Sequence, residues 1–415
     1  MNSIAPKGTS LNDILLLDIA RKIQLSQTQY GEAVSRYQTI NEWLERDGSP
    51  LKGLVKVMYP QGSMAVGTTI SSNLDDEEFD IDIIAELADS LRNQGPRRTL
   101  DQLFDAINGE RGSRYFGMVT RNSRCVTVQY ANMHLDVTPA ILLPNSVART
   151  STIFHSKRES PPSTDKTLIA NPWGFAQWFL EQLPDVSGNL PTLAKRAEAV
   201  PVIEQPKLFE RSLPMLALQL IKRWKNKQYA KRECRWPPSV LLTCLVGERS
   251  GALLAMRQQH STLFAALLDL VSYIQTQIEV AHRAGLKIYR ANPRCASDIL
   301  TDRWPETVEN QRQFLDDLRK FLTNLTTLDD PNQALPRKAE LLEAMFGERV
   351  TRLVVDDLQK RLADEVERGV LPQQIGTGRL LVAPALLTPR PAEPRVQQAP
   401  RHTFFGGTAS WPRKK

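Results

Sequence analysis

Two short runs constrain this 415-residue chain more than anything else in it: Phe79-Asp80-Ile81-Asp82-Ile83-Ile84 and Met133-His134-Leu135-Asp136-Val137-Thr138. Both alternate apolar with polar residues, the period of a strand with one buried face. Residues two apart on a strand share a side, so Asp80 and Asp82 project together while Phe79, Ile81 and Ile83 face a core. Asp136 shares its face with His134 and Thr138. A sheet that holds both runs brings three carboxylates to one surface, where they repel unless a cation lies between them. Cys125 to Tyr130, with Ala131-Asn132 as a turn, is placed to pair with the second run as a hairpin.

A lone Asp-x-Asp is usually a solvent-facing edge strand, and the upstream sequence changes that reading. Tyr59-Pro60-Gln61-Gly62-Ser63-Met64 ends a strand and opens a short helix. Backbone N–H groups at such an opening attract phosphate, Gly62 permits close approach, and the Ser63 hydroxyl can donate to a phosphate oxygen. Carboxylates suit Mg²⁺ or Mn²⁺, which take hard oxygen ligands and retain waters and substrate phosphates. In a two-ion site Asp80 and Asp82 are expected to hold both ions. Asp136 then completes the ion nearest the attacking hydroxyl and helps draw off its proton.

Composition narrows the setting. The net charge is +7, but Thr388 to Lys415 carries six Lys/Arg against Glu393, so the rest of the chain holds only about +2. That balance suits a local nucleotide pocket better than a broad duplex-binding stripe. Cys125, Cys234, Cys244 and Cys295 are scattered, as are the five histidines, so no zinc site is expected. No run is read as a membrane span, and Met1 to Leu11 lacks the blocks of a signal peptide, so a cytoplasmic protein is expected.

Periodicity places one or two long helices over Ser10 to Asp47, an α/β-rich region from Leu54 to about Leu143, and a helix near Leu100 to Asn108. Beyond Pro206 helices are expected over Leu208 to Lys227, Val240 to Glu248, Ser261 to Ala284, Glu309 to Thr326 and Lys338 to Arg368. The expected domains are a catalytic lobe over residues 1–205, a helical lobe over 206–387, and a basic, Pro-rich, disordered tail over 388–415.

Gly62-Ser63, then Asp80 and Asp82, then Asp136, resembles the polymerase-β-like nucleotidyltransferase superfamily. Leu220-Ile221-Lys222-Arg223-Trp224 followed by Trp236-Pro237-Pro238-Ser239 resembles the cGAS/DncV-like nucleotidyltransferases (CD-NTases), the cyclic-oligonucleotide synthases. Ala170-Asn171-Pro172-Trp173 to Phe179, and Ala291-Asn292-Pro293 with Trp304, are similar to segments of bacterial members, and read locally as capping and packing. The resemblance implies an α+β bilobal fold with an N-terminal spine helix, a mixed-sheet catalytic lobe and a C-terminal helical lobe. It implies catalysis by Asp80, Asp82 and Asp136, and nucleotide binding by Gln61, Gly62 and Ser63 with Lys222 and Ser239 from the helical lobe. By itself Lys222, opposite the apolar face of its helix, reads as a solvated lysine.

The expected activity is metal-dependent condensation of ribonucleoside triphosphates, ATP and/or GTP with pyrimidine nucleotides not excluded, into a cyclic di- or trinucleotide messenger for anti-phage defence (CBASS). Activation by duplex DNA is not expected, because the zinc insertion of vertebrate DNA-sensing members is missing. A regulatory partner at the C-terminal tail is a further expectation, with covalent attachment disfavoured by the ending Arg413-Lys414-Lys415. Two other readings share the residues: a template-independent RNA tailing enzyme of the poly(A) or CCA-adding type, and a catalytically silent binding protein of the same fold.

Overall fold

The two carboxylate runs form neighbouring strands of one seven-stranded mixed sheet in the computed structural model, which describes residues 10–71, 79–146, 149–184 and 212–367. The strands are β1 (Val55–Pro60), β2 (Phe79–Leu87), β3 (Val119–Arg121), β4 (Val126–Gln129), β5 (Met133–Leu142), β6 (Ser151–His155) and β7 (Lys166–Ala170). Their order is β1-β2-β5-β4-β3, with β6 on β5 and β7 on β6. The sheet thus continues past the expected end near Leu143. β2 and β5 run parallel; the other pairs in this sheet are antiparallel. β5 has ten residues and changes partner along its length: His134 to Val137 pair with β4, and Ala140 to Leu142 with β6. The expected β4–β5 hairpin forms, closed by Tyr130 N donating to Met133 O at 2.9 Å.

One face of the sheet packs into the core. Phe79, Ile81, Ile83, Ala85 and Leu87 of β2 meet Tyr37, Ile40 and Leu44 of α2 (Gln27–Leu44), and Leu100, Leu103 and Ile107 of α4 (Pro96–Asn108). The opposite face is covered only in part. Ile84 is buried with Val57, Tyr59, Ala140 and Trp173, the last from α5 (Pro172–Glu181). Toward the start of β2 that cover ends, leaving Asp80 exposed and Asp82 half-buried. The change of burial pattern along β2 therefore sets one edge of a cleft.

The N-terminal stretch is two helices rather than one. α1 (Leu11–Lys22) ends before Ser26, whose side chain forms a reciprocal capping box with Gln29 at the start of α2. α1 packs on helices of the C-terminal half, whereas α2 packs on α4. That half contains α6 (Leu213–Tyr229), α7 (Ser239–Ala255), α8 (Leu263–Arg283), α9 (Val308–Asp329), α10 (Leu335–Phe346) and α11 (Glu348–Glu367), with a hairpin of β8 (Ala291–Asn292) and β9 (Cys295–Ile299). The single helix expected over Lys338 to Arg368 is broken at Gly347, whose φ of 107° ends α10. The Arg223 Nε donates to Phe346 O at 2.8 Å at that break.

α8 corrects the expectation that no run reaches membrane-spanning length. Its 21 residues are long and apolar enough to cross a membrane by length and composition. It is instead a core helix here, with Leu267, Leu270, Val271, Ile274 and Ile278 buried among α1, α6, α7 and α9.

By contacts the chain divides into Ser10–Ala363 and a second unit of Met1–Thr9 with Asp364–Lys415. Every strand, and the cleft, belong to the first. The tail at 388–415 and the expected lobe boundary at 205/206 lie outside the described residues.

α7 runs past the expected Glu248 because its glycines serve close packing, not termination. A Cβ on Gly247 would lie 2.6 Å from the Trp178 ring, and one on Gly251 would lie 2.1 Å from Gln182 Oε1. Gly247→Val is expected to force α5 off α7 and lower stability by about 1–3 kcal/mol. Urea denaturation measures this, and an unchanged midpoint would contradict the close contact.

Candidate active site

Parallel pairing places Asp82 directly opposite Asp136, and Asp80 opposite His134. The loop leaving β1 is tied to the same place, because Gln61 N donates to Asp82 O at 2.8 Å. Gly62 follows with φ of 56°, a conformation that L side chains rarely adopt. A Cβ there would lie 2.7 Å from Asp82 Oδ2, so the absence of a side chain lets the loop rest on the carboxylate. The helix opened here, α3 (Gly62–Ala65), has only four residues. Its dipole is correspondingly small, so the polar character of this loop comes from individual N–H groups and the Ser63 hydroxyl.

The chain beyond α3 is gripped by the helical half. Gln219 Nε2 donates to Thr69 O at 3.1 Å, and Gln24 Nε2 to Gln219 Oε1 at 3.0 Å. Ser71 N donates to Ile23 O at 2.7 Å. Lys222 Nζ donates to Thr68 Oγ1 at 2.7 Å, and the Thr69 hydroxyl donates to Ser63 Oγ at 3.1 Å. Lys222 is 4% exposed, which corrects its reading as a solvated surface lysine. α6 is buried on both sides, so the face opposite its apolar stripe meets the loop rather than water.

Ser239 opens α7 and accepts a 2.8 Å hydrogen bond from Lys225 Nζ. Lys222 and Lys225 are one helical turn apart, and both are buried. Sequence reasoning singled out Lys222 and missed Lys225, although the i, i+3 spacing of two lysines on one helix was the available signal.

A cavity of about 470 Å³ joins these parts, lined by Gln61, Gly62, Ser63, Asp80, Asp82, Lys222 and Ser239, among others. Asp136 stands behind Asp82 and accepts a hydrogen bond from the Thr127 hydroxyl. Asn122 Nδ2 in turn donates to Thr127 Oγ1 at 2.7 Å. Asp80 leans outward, 3.7 Å from His134 Nδ1. Among the described residues no three acidic, His or Cys groups converge tightly enough to enclose an ion in this conformation. Asp82 and Asp136 lie side by side on neighbouring strands, and Asp80 projects from the same face of β2 as Asp82.

Electrostatics at this centre are unresolved by the protein alone. Burial, then the charges of Asp136 and Asp80, push the Asp82 carboxyl up to about 7 against the pull of Lys222. Burial and the Lys225 charge lower Lys222 to about 7, with Asp82 opposing, and burial lowers Lys225 to about 8. Carboxylates held together on one side and ammonium groups on the other suit a ligand that carries cations at one end and phosphate charge at the other. The acidic donor set, all hard oxygen, fits a divalent ion of the Mg²⁺ or Mn²⁺ type.

Residues 12–160 match the Second Messenger Oligonucleotide or Dinucleotide Synthetase domain. The chain is 31% identical over 369 residues to the cyclic dinucleotide synthase CdnG of Bradyrhizobium diazoefficiens, covering 86% of this chain and 85% of that protein. It belongs to the CD-NTase family. A c-di-GMP synthase of Roseivirga ehrenbergii is 25% identical over 403 residues, 96% of this chain and 98% of the relative. The solved structure of the Bradyrhizobium diazoefficiens CD-NTase CdnG in complex with GTP superposes with a TM-score of 0.69 at 29% identity, covering 84% of this chain and 98% of that one. As a CD-NTase the chain is a nucleotidyltransferase that acts on nucleoside triphosphates and uses divalent metal.

Two substitutions test the site in this CD-NTase. Gly62→Ala sets a methyl against the Asp82 carboxylate and strains the backbone, so turnover is expected to fall more than about tenfold, with stability reduced by about 1–3 kcal/mol. Pyrophosphate release and thermal melting measure the two effects, and wild-type turnover would mean that the loop is not held against Asp82. Lys225→Met replaces a buried ammonium by an apolar chain of similar length, which leaves stability equal or higher. The KM for nucleoside triphosphate is expected to rise about tenfold or more; an unchanged KM would assign Lys225 to packing alone.

Proposed function

We infer that this CD-NTase is a cyclic oligonucleotide synthase that joins two ribonucleoside triphosphates, at least one of them GTP, into a cyclic dinucleotide. The observation that carries the reading is the in-register pairing of Asp82 with Asp136, beside a cavity lined by the Gly-Ser loop, Asp82, Lys222 and Ser239, with buried Lys225 bonded to Ser239. The names of the relatives, a cyclic dinucleotide synthase and a c-di-GMP synthase, support the product class, and the GTP complex of CdnG supports the nucleotide.

Asp80, Asp82 and Asp136 are the proposed metal ligands, for two Mg²⁺ or Mn²⁺ ions. Metal held by these carboxylates would supply activation of the attacking hydroxyl and charge compensation for the leaving pyrophosphate. Ser63 and the backbone N–H groups at Gly62 and Ser63 hold the donor triphosphate from the sheet side. Lys222, released from Thr68, and the Lys225–Ser239 pair hold it from the helical side. A hydroxyl oxygen of the second nucleotide bonds to the donor α-phosphorus as the bond to pyrophosphate breaks, and in this reading Asp136 takes the hydroxyl proton. Because the linear product keeps its own 5′ triphosphate, it can turn round and present that end as the next donor. The second bond closes the ring, releases a second pyrophosphate and leaves no end to extend.

A role in anti-phage signalling, a cytoplasmic setting and a regulatory partner at the 388–415 tail complete the proposal. An RNA tailing enzyme needs an extended basic path for its strand, which a body charge of about +2 does not favour. Purified protein with ATP, GTP, CTP, UTP and Mg²⁺ or Mn²⁺ is expected to release a small phosphatase-resistant product without a primer, identified by mass spectrometry. Asp82→Ala and Asp136→Ala are each expected to lose more than about a hundredfold in turnover while remaining folded. A primer-dependent ladder as the only product would replace this reading with the tailing enzyme, and near-normal turnover of either variant would remove that residue from the centre.

A further inference from the structure

The two segments that read locally as capping and packing meet at one carboxylate. Asp298, on β9, accepts from Asn171 N at 3.0 Å and from Asn292 Nδ2 at 2.8 Å, both through Oδ2. Asn292 Nδ2 also donates to Asn171 O at 2.8 Å, and the Asn171 side chain caps α5 by accepting from Gly174 N at 2.7 Å. Both asparagines are fully buried. Asp298 is therefore pinned from behind by two rigid donors on separate elements, the start of α5 and the β8–β9 hairpin.

A capping role accounts for Oδ2 and says nothing of Oδ1. Among the described residues Oδ1 accepts no hydrogen bond, and Asp298 lines the same cavity as the Gly-Ser loop and Lys222. The neighbouring cation, Arg124, pairs with Asp302 through Nη2; among the described residues its Nε is buried without a partner, and no hydrogen bond joins it to Asp298. Burial raises the Asp298 carboxyl above the usual range despite its two donors. A half-buried carboxylate with one oxygen unengaged costs stability that a pair of donors from a ligand would recover. Around it the cavity wall turns apolar, with Phe175, Val240, Ile299 and Leu300 forming sides suited to a flat ring. Val240 adjoins Ser239, so the apolar slot begins where the proposed triphosphate site ends.

We propose that Asp298 reads the base, its Oδ1 accepting from the N1–H and 2-amino groups of guanine, and that it sets a guanine preference in one of the two nucleotide positions. The selectivity follows from edge chemistry. Guanine presents two adjacent donors, and a single fixed acceptor can take both. Adenine sets a lone-pair nitrogen beside its amino group, cytosine does the same, and uracil flanks its one N–H with two carbonyl oxygens; each brings an acceptor toward the carboxylate. A buried polar group left facing an acceptor discriminates far more strongly than an apolar wall.

This inference rests on the synthase reading for its consequence, but its first test needs only binding. The triphosphates GTP, ITP and ATP differ in the base edge alone, and ITP lacks the 2-amino group. With wild-type protein, ITP is expected to bind about tenfold more weakly than GTP, and ATP more weakly still. Equal affinity for GTP and ITP would overturn the proposal without any variant. In Asp298→Asn the donors from Asn171 and Asn292 oblige the amide oxygen to take the place of Oδ2, which turns the NH₂ group toward the cavity. The GTP-over-ATP preference is then expected to collapse by at least about tenfold, seen in KM more than in kcat, and the guanine share of the product to fall by mass spectrometry. A variant that melts like the wild type and keeps its guanine preference would overturn the assignment. Failure of the wild-type protein to form any cyclic product would instead reject the synthase reading and leave the GTP, ITP and ATP comparison standing.

Discussion

The parallel pairing of β2 with β5 is the constraint from which the site is built. It fixes Asp82 against Asp136 in register, and a slip by one residue on either strand would turn that strand's carboxylates into the core. Register is specified by what lies beneath. Phe79, Ile81 and Ile83 on one strand and Met133, Leu135 and Val137 on the other are all buried in a single cluster. The antiparallel strands on either side have their own consequences: β1 delivers the Gly-Ser loop onto Asp82, and β4 delivers Thr127 onto Asp136. Each carboxylate therefore receives a neighbour from the strand outside it.

The structure keeps like charges together at a cost that the folded chain alone does not recover. Asp82 is pushed toward neutrality by burial and two nearby carboxylates, while Lys222 and Lys225 lose basicity to burial. Hydrogen bonds to Thr68 and Ser239 hold the lysines in place meanwhile. This is the arrangement of a site whose electrostatic complement arrives with its substrate, in which preorganised charge stands ready and is not assembled during the reaction. α6 makes it tolerable. Its reverse side carries Trp224, stacked on Phe321 with ring centroids 4.5 Å apart, and Arg223, bonded to the end of α10.

What the sequence made legible and what it hid divide along the range of the interactions. Period-two alternation exposed the strands that carry Asp80, Asp82 and Asp136, because that pattern is a local record of which side is buried. The Gly-Ser pair and the hairpin turn were readable for the same reason. Contacts between distant segments left no such record. Lys222 looked like a solvated residue on the polar side of its helix, and its burial comes from the loop at Thr68, 154 positions away. Lys225 has its spacing from Lys222 as a local signal but its partner Ser239 lies on another helix, and Asp298 is revealed only through Asn171, 127 positions away. The end of α10 at Gly347 is hidden too, because glycine serves both close packing, as at Gly247 and Gly251 of α7, and helix termination, and only the neighbour decides which. The lobe boundary and the tail fall in residues the structure does not describe.

The contact of Gly62 with Asp82 couples two positions that the chain separates by an entire loop. With only a hydrogen at one position and a carboxylate oxygen at the other, neither can change size without the other giving way. A larger residue at 62 fits this geometry without strain only beside a shorter residue at 82, and no residue shorter than aspartate carries a carboxylate. Loss of the loop glycine in a relative would thus mark a protein that had left this chemistry behind, whatever else of the fold it had kept.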